Sequence, residues 1–167
     1  MLRYHLAQLN VGTILHDLEA PAMKGFVDNL ERINALAEAS PGFVWRLQDE
    51  AGDATGIQAT EDPHFIVNLS LWETAEALFD FVYRSAHTGI MAQRRQWFAR
   101  PAEAYQVLWW LPAGEIPTVE AALARLERLR ELGPAPGAFT FKQRFPVPGA
   151  EDDGSDLRPE PYCVGWS

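Results

Sequence analysis

The chain has 167 residues, 47% hydrophobic and 22% charged, with 14 Lys and Arg against 23 Asp and Glu for a net charge of −9. That size and composition suit one soluble domain with its own core, and the negative field disfavours nucleic acid and anionic lipid as partners. No apolar run approaches the ~18 residues of a membrane span, and Arg3, His5, Gln8 and Asn10 punctuate the stretch where a signal peptide needs an apolar core, so the cytoplasm is the expected location.

Tyr4 to Val11 alternates Tyr4, Leu6, Gln8 and Asn10 with His5, Ala7, Leu9 and Val11, which predicts a strand with two unlike faces. Pro21 suits the first position of a helix whose stripe is Phe26, Val27, Leu30, Ile33 and Ala37, and Ser40, Pro41 and Gly42 stop it. Phe43 to Gln48 reads as a strand, with Phe43, Trp45 and Leu47 opposed to Val44, Arg46 and Gln48. The polar, glycine-containing stretch 49–63 reads as an exposed hairpin connection. Phe65 to Trp72 returns as a strand with Phe65, Val67, Leu69 and Leu71 on one side and Ile66, Asn68, Ser70 and Trp72 on the other.

Thr74 is placed to cap a second helix with Leu78, Phe81 and Val82 on its buried stripe. Gly89 breaks or bends it, and Ile90, Met91, Arg94, Trp97 and Phe98 keep helical spacing up to Pro101. A strand from Tyr105 to Leu111 opposes Tyr105, Val107, Trp109 and Leu111 to Gln106, Leu108 and Trp110. Pro117 and Thr118 start a third helix carrying Leu123, Leu126 and Leu129, which Gly133 and Pro134 end. Phe139 to Phe145 predicts a last strand. Residues 1–146 then form one domain, and 147–167 an acidic, proline-rich tail.

The order β, α, β, β, α, β, with an added α and β, is that of the ferredoxin-like split unit, an α+β fold with an antiparallel sheet and helices on one face. One sheet face is greasy. The other mixes Trp72, Trp110, Ile66 and Leu108 with Asn68, Ser70, Gln106 and Arg46, too apolar for water and too polar for ordinary core, so it should line an enclosed cavity. A second copy of the same sheet is the economical cover for a face without helices, which predicts a homodimer closed across a two-fold axis.

Three groups of residues could carry chemistry. His87 follows Tyr83 and Arg84 near the Gly89 break and suits a general acid or base or an axial haem ligand; capping of helix carbonyls is its structural role. Arg84, Arg94, Arg95 and Arg100 lie in a stretch without Asp or Glu, so they serve either an anionic ligand or the acidic segments elsewhere; Arg94 falls on the inward stripe with Ile90 and Trp97. Gln8, Asn10, Arg46, Asn68, Ser70 and Gln106 could hold a carbonyl or hydroxyl, or satisfy one another. Tyr83, Trp72, Trp109 and Trp110 offer flat walls that serve packing equally well.

His5, His16 and His64 read as structural or solvated. No histidine pair has metal-ligand spacing, and Cys163 is the single cysteine, so a zinc centre, a cysteine-rich metal site and an internal disulfide are not expected. Dinucleotide fingerprint, P-loop and nucleophile elbow are all missing from the sequence.

The runs His5 to Asn10, Asn68 to Trp72, Phe81 to His87, the pair Trp97 and Phe98, and Trp109 to Gly114 together resemble the bacterial domain-of-unknown-function 3291 family, over roughly residues 4 to 145. The resemblance implies a dimeric α+β barrel, in a superfamily that holds cofactor-free antibiotic-biosynthesis monooxygenases, haem-degrading enzymes and chlorite dismutase-like haem proteins. With the residues above, it leads to two expectations. The first is a monooxygenase-like enzyme without a bound cofactor, acting on an organic, anionic aromatic substrate, with His87 as acid or base, Arg94 or Arg84 fixing the anion and Asn68 with Gln106 polarising a carbonyl. The second is a non-catalytic protein that binds haem or a hydrophobic metabolite.

Overall fold

The computed structural model describes residues 2–50, 52–84, 89 and 92–150. Four strands, β1 (Tyr4–Thr13), β2 (Phe43–Arg46), β3 (Phe65–Trp72) and β4 (Gln106–Pro112), form an antiparallel sheet in the order β2-β3-β1-β4. The helices are α1 (Lys24–Ala39), entered through a 3-10 turn at Pro21–Met23, then α2 (Ala75–Arg84), α3 (Arg94–Trp97) and α4 (Val119–Leu132). This is the ferredoxin-like order with one helix appended.

Period-two alternation separates the faces as the sequence predicts. The registers β1 to β3 and β1 to β4 bring Ala7, Leu9 and Val11 beside Leu71, Leu69 and Val67 and beside Trp109 and Val107. All of these are buried, together with Ala122, Leu126 and Leu129 of α4. The Thr118 hydroxyl caps α4 by accepting from the Ala121 N–H at 3.1 Å, and Gly133 ends it at φ 75°, a conformation that favours glycine.

The opposite, mixed face meets α1 and α2. Crossovers of one hand put both helices of a split unit on the same side. The packing agrees, since Ala37 of α1 and Leu78, Phe79 and Val82 of α2 lie against Leu6, Trp72 and Leu108. The Thr74 hydroxyl accepts from the Ala77 N–H at 3.0 Å and starts α2.

α1 and α2 pack on the apolar end of the mixed face and α4 lies across the greasy one, while Asn68 on the mixed face remains exposed. Two expectations are corrected. In β2 a bulge sets Phe43 opposite Trp72 but Trp45 opposite Leu71, which moves Phe43 to the mixed face while Trp45 stays with the core. Phe139 to Phe145 is not a strand. Phe139 makes one isolated bridge to Leu108, with two backbone bonds of 2.8 Å, and so shields the free edge of β4. The expected continuation through Ile90 and Met91, His87, and most of the tail with Cys163 lie outside the described residues.

Candidate functional site

The mixed face changes character from rung to rung. Phe43, Trp72, Leu6 and Trp110 form one rung across the sheet; Arg46, Ser70, Gln8 and Leu108 form the next; Asn68, Asn10 and Gln106 form the third. The first is apolar, the third consists of three neighbouring carboxamides, and Gly12 opposite Ile66 follows it. α2 sits on the apolar end through Leu78, Phe79 and Val82, which are buried. Toward the amide end α1 leaves space over the sheet, and Ile33 stays only half-buried because it faces that space.

That space is a cavity of about 1210 Å³. Its sheet floor contains Gln8, Asn10, Arg46, Asn68, Ser70, Trp72 and Gln106, and Phe81, Val82 and Tyr83 of α2 and Phe141 wall one side. The space lies over the mixed face and opens to solvent beside Asn68, which is exposed. Among the described residues, the side-chain amides of Asn10, Asn68, Gln106 and Gln8 have no hydrogen-bond partner. Ser70 accepts the Trp72 indole N–H at 3.0 Å, which fixes the ring and leaves the hydroxyl proton free. Trp72 also stacks on Phe81 at 5.1 Å.

Most of the residues singled out in sequence, Arg100 among them, share this cavity or its neighbour. Gln8, Asn10, Arg46, Asn68, Ser70, Trp72, Tyr83 and Gln106 line the cavity, and Arg94 lines a smaller pocket of about 150 Å³ that shares Asn10, Ile33, Asn34, Arg46 and Asn68 with it. Trp110 is absent from both linings, and its indole N–H donates to the Phe145 carbonyl at 3.0 Å. Arg84 is exposed, pairs with Asp80 at 3.3 Å and lies over the Phe79 ring. His87 lies outside the described residues.

Two lining residues escape a sequence reading. Asn34 stands on the apolar stripe of α1, four residues after Leu30 and beside Ile33, where an amide is out of place in a core but apt in a pocket wall. Tyr105 has the parity of the greasy face, yet it lines the cavity just before β4 begins.

Arg94 is buried. Its guanidinium sits 4.4 Å from the Phe98 ring centre and 5.0 Å from that of Tyr105, and Nη2 donates to the Val11 carbonyl at 3.3 Å. Nε has no partner, and among the described residues no carboxylate pairs with this cation. Burial lowers its pKa, with the Tyr105 hydroxyl opposing, and burial raises the Tyr105 pKa, with Arg94 opposing. Tyr105 is thus held as a neutral phenol, a donor rather than a base. Arg46, by contrast, is paired through Nε with Glu38 at 2.8 Å.

Among the described residues no group of three His, Cys, Asp or Glu is placed to hold a metal ion. The described lining also contains no histidine or cysteine. Tyr83 and Tyr105 are its side chains of a haem-ligating type, and burial favours the neutral phenol at Tyr105. His5 on β1 lines neither pocket, His16 is exposed, and His64 pairs with Asp17 at 2.6 Å. No helix of the described residues is long and apolar enough to cross a membrane.

Solved structures with a similar course of chain include Rv0793 from Mycobacterium tuberculosis, with 16% identity over 68% of this chain and 99% of that one and a TM-score of 0.46. PA3566 from Pseudomonas aeruginosa has 15% identity over 69% and 99%, with a TM-score of 0.44. SnoaB from Streptomyces nogalater, described as a cofactor-independent oxygenase, has 16% identity over 67% and 95%, with a TM-score of 0.43. No curated protein matches the chain. The family model described as domain of unknown function DUF3291 matches residues 5–155, and the chain belongs to that family.

Proposed function

We propose that the protein binds a small organic molecule, aromatic and anionic, in the cavity between the mixed sheet face and its own α1 and α2, and oxygenates it in a monooxygenase-like reaction without a resident cofactor. The observation that carries this reading is the row Asn68, Asn10 and Gln106, three adjacent amides without partners on the floor of a cavity with aromatic walls. Unused amides of this kind orient a substrate by its carbonyl and hydroxyl groups and stabilise an enolate oxygen as it forms.

The chemistry balances without an external reductant. A base takes the proton from an activated methylene, the resulting carbanion supplies the electrons to dioxygen, one oxygen atom ends as a carbonyl on that carbon and the other leaves as water. His87 is the proposed acid or base. Native mass spectrometry of the purified chain tests the binding: a small-molecule adduct is expected that Asn10→Leu with Asn68→Leu removes. Oxygen uptake with that molecule tests the turnover, and His87→Ala should lower it by about 10²- to 10⁴-fold. An adduct untouched by the double substitution, or turnover untouched by His87→Ala, sinks the corresponding part.

The aromatic end of the cavity, with Phe43, Trp72, Phe81 and Phe141, favours a second reading in which a hydrophobic metabolite or haem is held without turnover. A Soret band on haem addition that His87→Ala abolishes is its signature; a colourless protein rules out the haem form.

A further inference from the structure

Among the described residues Arg94 is the single buried charged side chain. A buried cation is costly unless it is paired and hydrogen-bonded. The Val11 carbonyl and the Phe98 and Tyr105 rings compensate part of that cost, but the Nε–H has no acceptor.

The pocket beside Arg94 contains two other charges, and neither offsets it. Arg46 is already paired with Glu38, and Asp53 accepts from the Thr55 backbone N–H at 2.8 Å and from the Thr55 hydroxyl and makes no ion pair with Arg94. At about 150 Å³ the pocket has the room of roughly five waters at about 30 Å³ each. Such a space suits one small planar group on a short arm. A single guanidinium matches a monoanion, whereas a phosphate dianion would be left half-neutralised; the neighbouring amides of Asn10 and Asn68, shared with the larger cavity, can donate to the second oxygen of a carboxylate.

We propose that the side pocket is a carboxylate subsite, in which Arg94 binds the acid group of a molecule whose aromatic body occupies the larger cavity. The assignment of the body rests on the proposed function, but occupancy of the subsite does not, because a carboxylate alone suffices to fill it.

Thermal unfolding of the full chain in sodium acetate or propionate, against sodium chloride of equal ionic strength, reads the subsite. The wild type is expected to gain about 3 to 6 °C in Tm at ten times the dissociation constant. Arg94→Met, which keeps a stem between the two rings, should gain nothing and should melt no lower than wild type in chloride, since it removes a buried charge that the Val11 carbonyl and the two rings offset only in part. Because that variant tests folding as well as binding, the Arg94 Nε–H resonance of the wild type provides a second readout and should move with acetate and not with chloride or acetamide. Equal Tm gains in wild type and variant, an unmoved Nε–H, or a larger gain from phosphate than from acetate would each overturn the proposal. An acetate response beside an adduct indifferent to the Asn10 and Asn68 substitutions would instead keep the subsite and sink the reading of the main cavity.

Discussion

Gly12 and Phe98 share a space that admits only one of two side chains. A Cβ at position 12 would lie 2.6 Å from Phe98 Cδ1 and 2.9 Å from Arg94 Nη2, so the bare glycine is what lets the aromatic ring and the guanidinium close over the end of β1. Gly12→Ala forces the ring, and with it α3, to shift. Overpacking of this kind costs about 1–3 kcal/mol, which for a domain of this size lowers Tm by about 2–4 °C per kcal/mol. Phe98→Leu in the same background should recover part of the loss, a coupling that a double-mutant cycle measures. A Gly12→Ala protein that melts with the wild type would show that the contact is not close.

The amides of the third rung make an opposite prediction. Asn10 and Asn68 face each other across β1 and β3 without hydrogen bonds to protein, so replacing either with Leu removes no internal contact. Stability should stay within about 0.5 kcal/mol. Affinity for the bound molecule should fall by about 5- to 10-fold for each lost hydrogen bond, at about 1 kcal/mol apiece. Substitution of Trp72, which is buried and bonded to Ser70, should do the reverse and cost stability first. Parallel melting and titration of the three variants separates the two roles.

Much of this arrangement is legible in sequence because period-two alternation is rigid where a strand buries one face. Asn10, Asn68 and Gln106 have one parity, and the registers bring them into one row. Alternation fails where geometry adds a residue, as at the β2 bulge that sends Phe43 to Trp72. It is also silent about what packs on a face: the side chains on the mixed face come from α1 and α2, and those on the greasy face from α4, more than a hundred residues from β1. Charge counting along the chain suggested an anion site at both Arg84 and Arg94. Arg84 has an acid one helical turn away in Asp80, whereas Arg94 is committed to a carbonyl 83 residues distant, and only the fold tells them apart.

Tyr105 gives the molecule an alkaline signature. Burial raises the phenol pKa above its ordinary value of 10.0, and the neighbouring Arg94 charge offsets part of the rise. The folded state therefore disfavours the phenolate. The stabilisation linked to this group is fully present below the unfolded-state pKa near 10 and is lost as pH climbs through the higher folded-state value. Tyr105→Phe has no proton to lose there, so its stability should decline less steeply than that of the wild type above about pH 10. Arg94→Met removes the offsetting charge and should push the Tyr105 titration higher still. Urea midpoints at intervals from neutral to alkaline pH would reveal both effects, and identical pH slopes for wild type and Tyr105→Phe would show that the phenol is not perturbed.

Leu126 and Ile33 discriminate the filled side of the sheet from the hollow one. Leu126 of α4 is 1% exposed and packs in the cluster with Leu9, Leu69 and Val107, so Leu126→Ala leaves a void bounded by side chains that cannot collapse into it. The expected loss is about 2–5 kcal/mol. Ile33 of α1 lines both the cavity and the side pocket and is only half-buried, so truncation enlarges a space that already exists instead of opening a new one. Its Ala variant should lose about 1 kcal/mol or less, near the transfer cost of a partly exposed side chain, while ligand affinity falls because a wall contact is gone. Chemical denaturation of the two variants, with and without the bound molecule, decides the matter: a loss at Ile33 as large as that at Leu126 would mean that α1 rests directly on the sheet and that no cavity separates them.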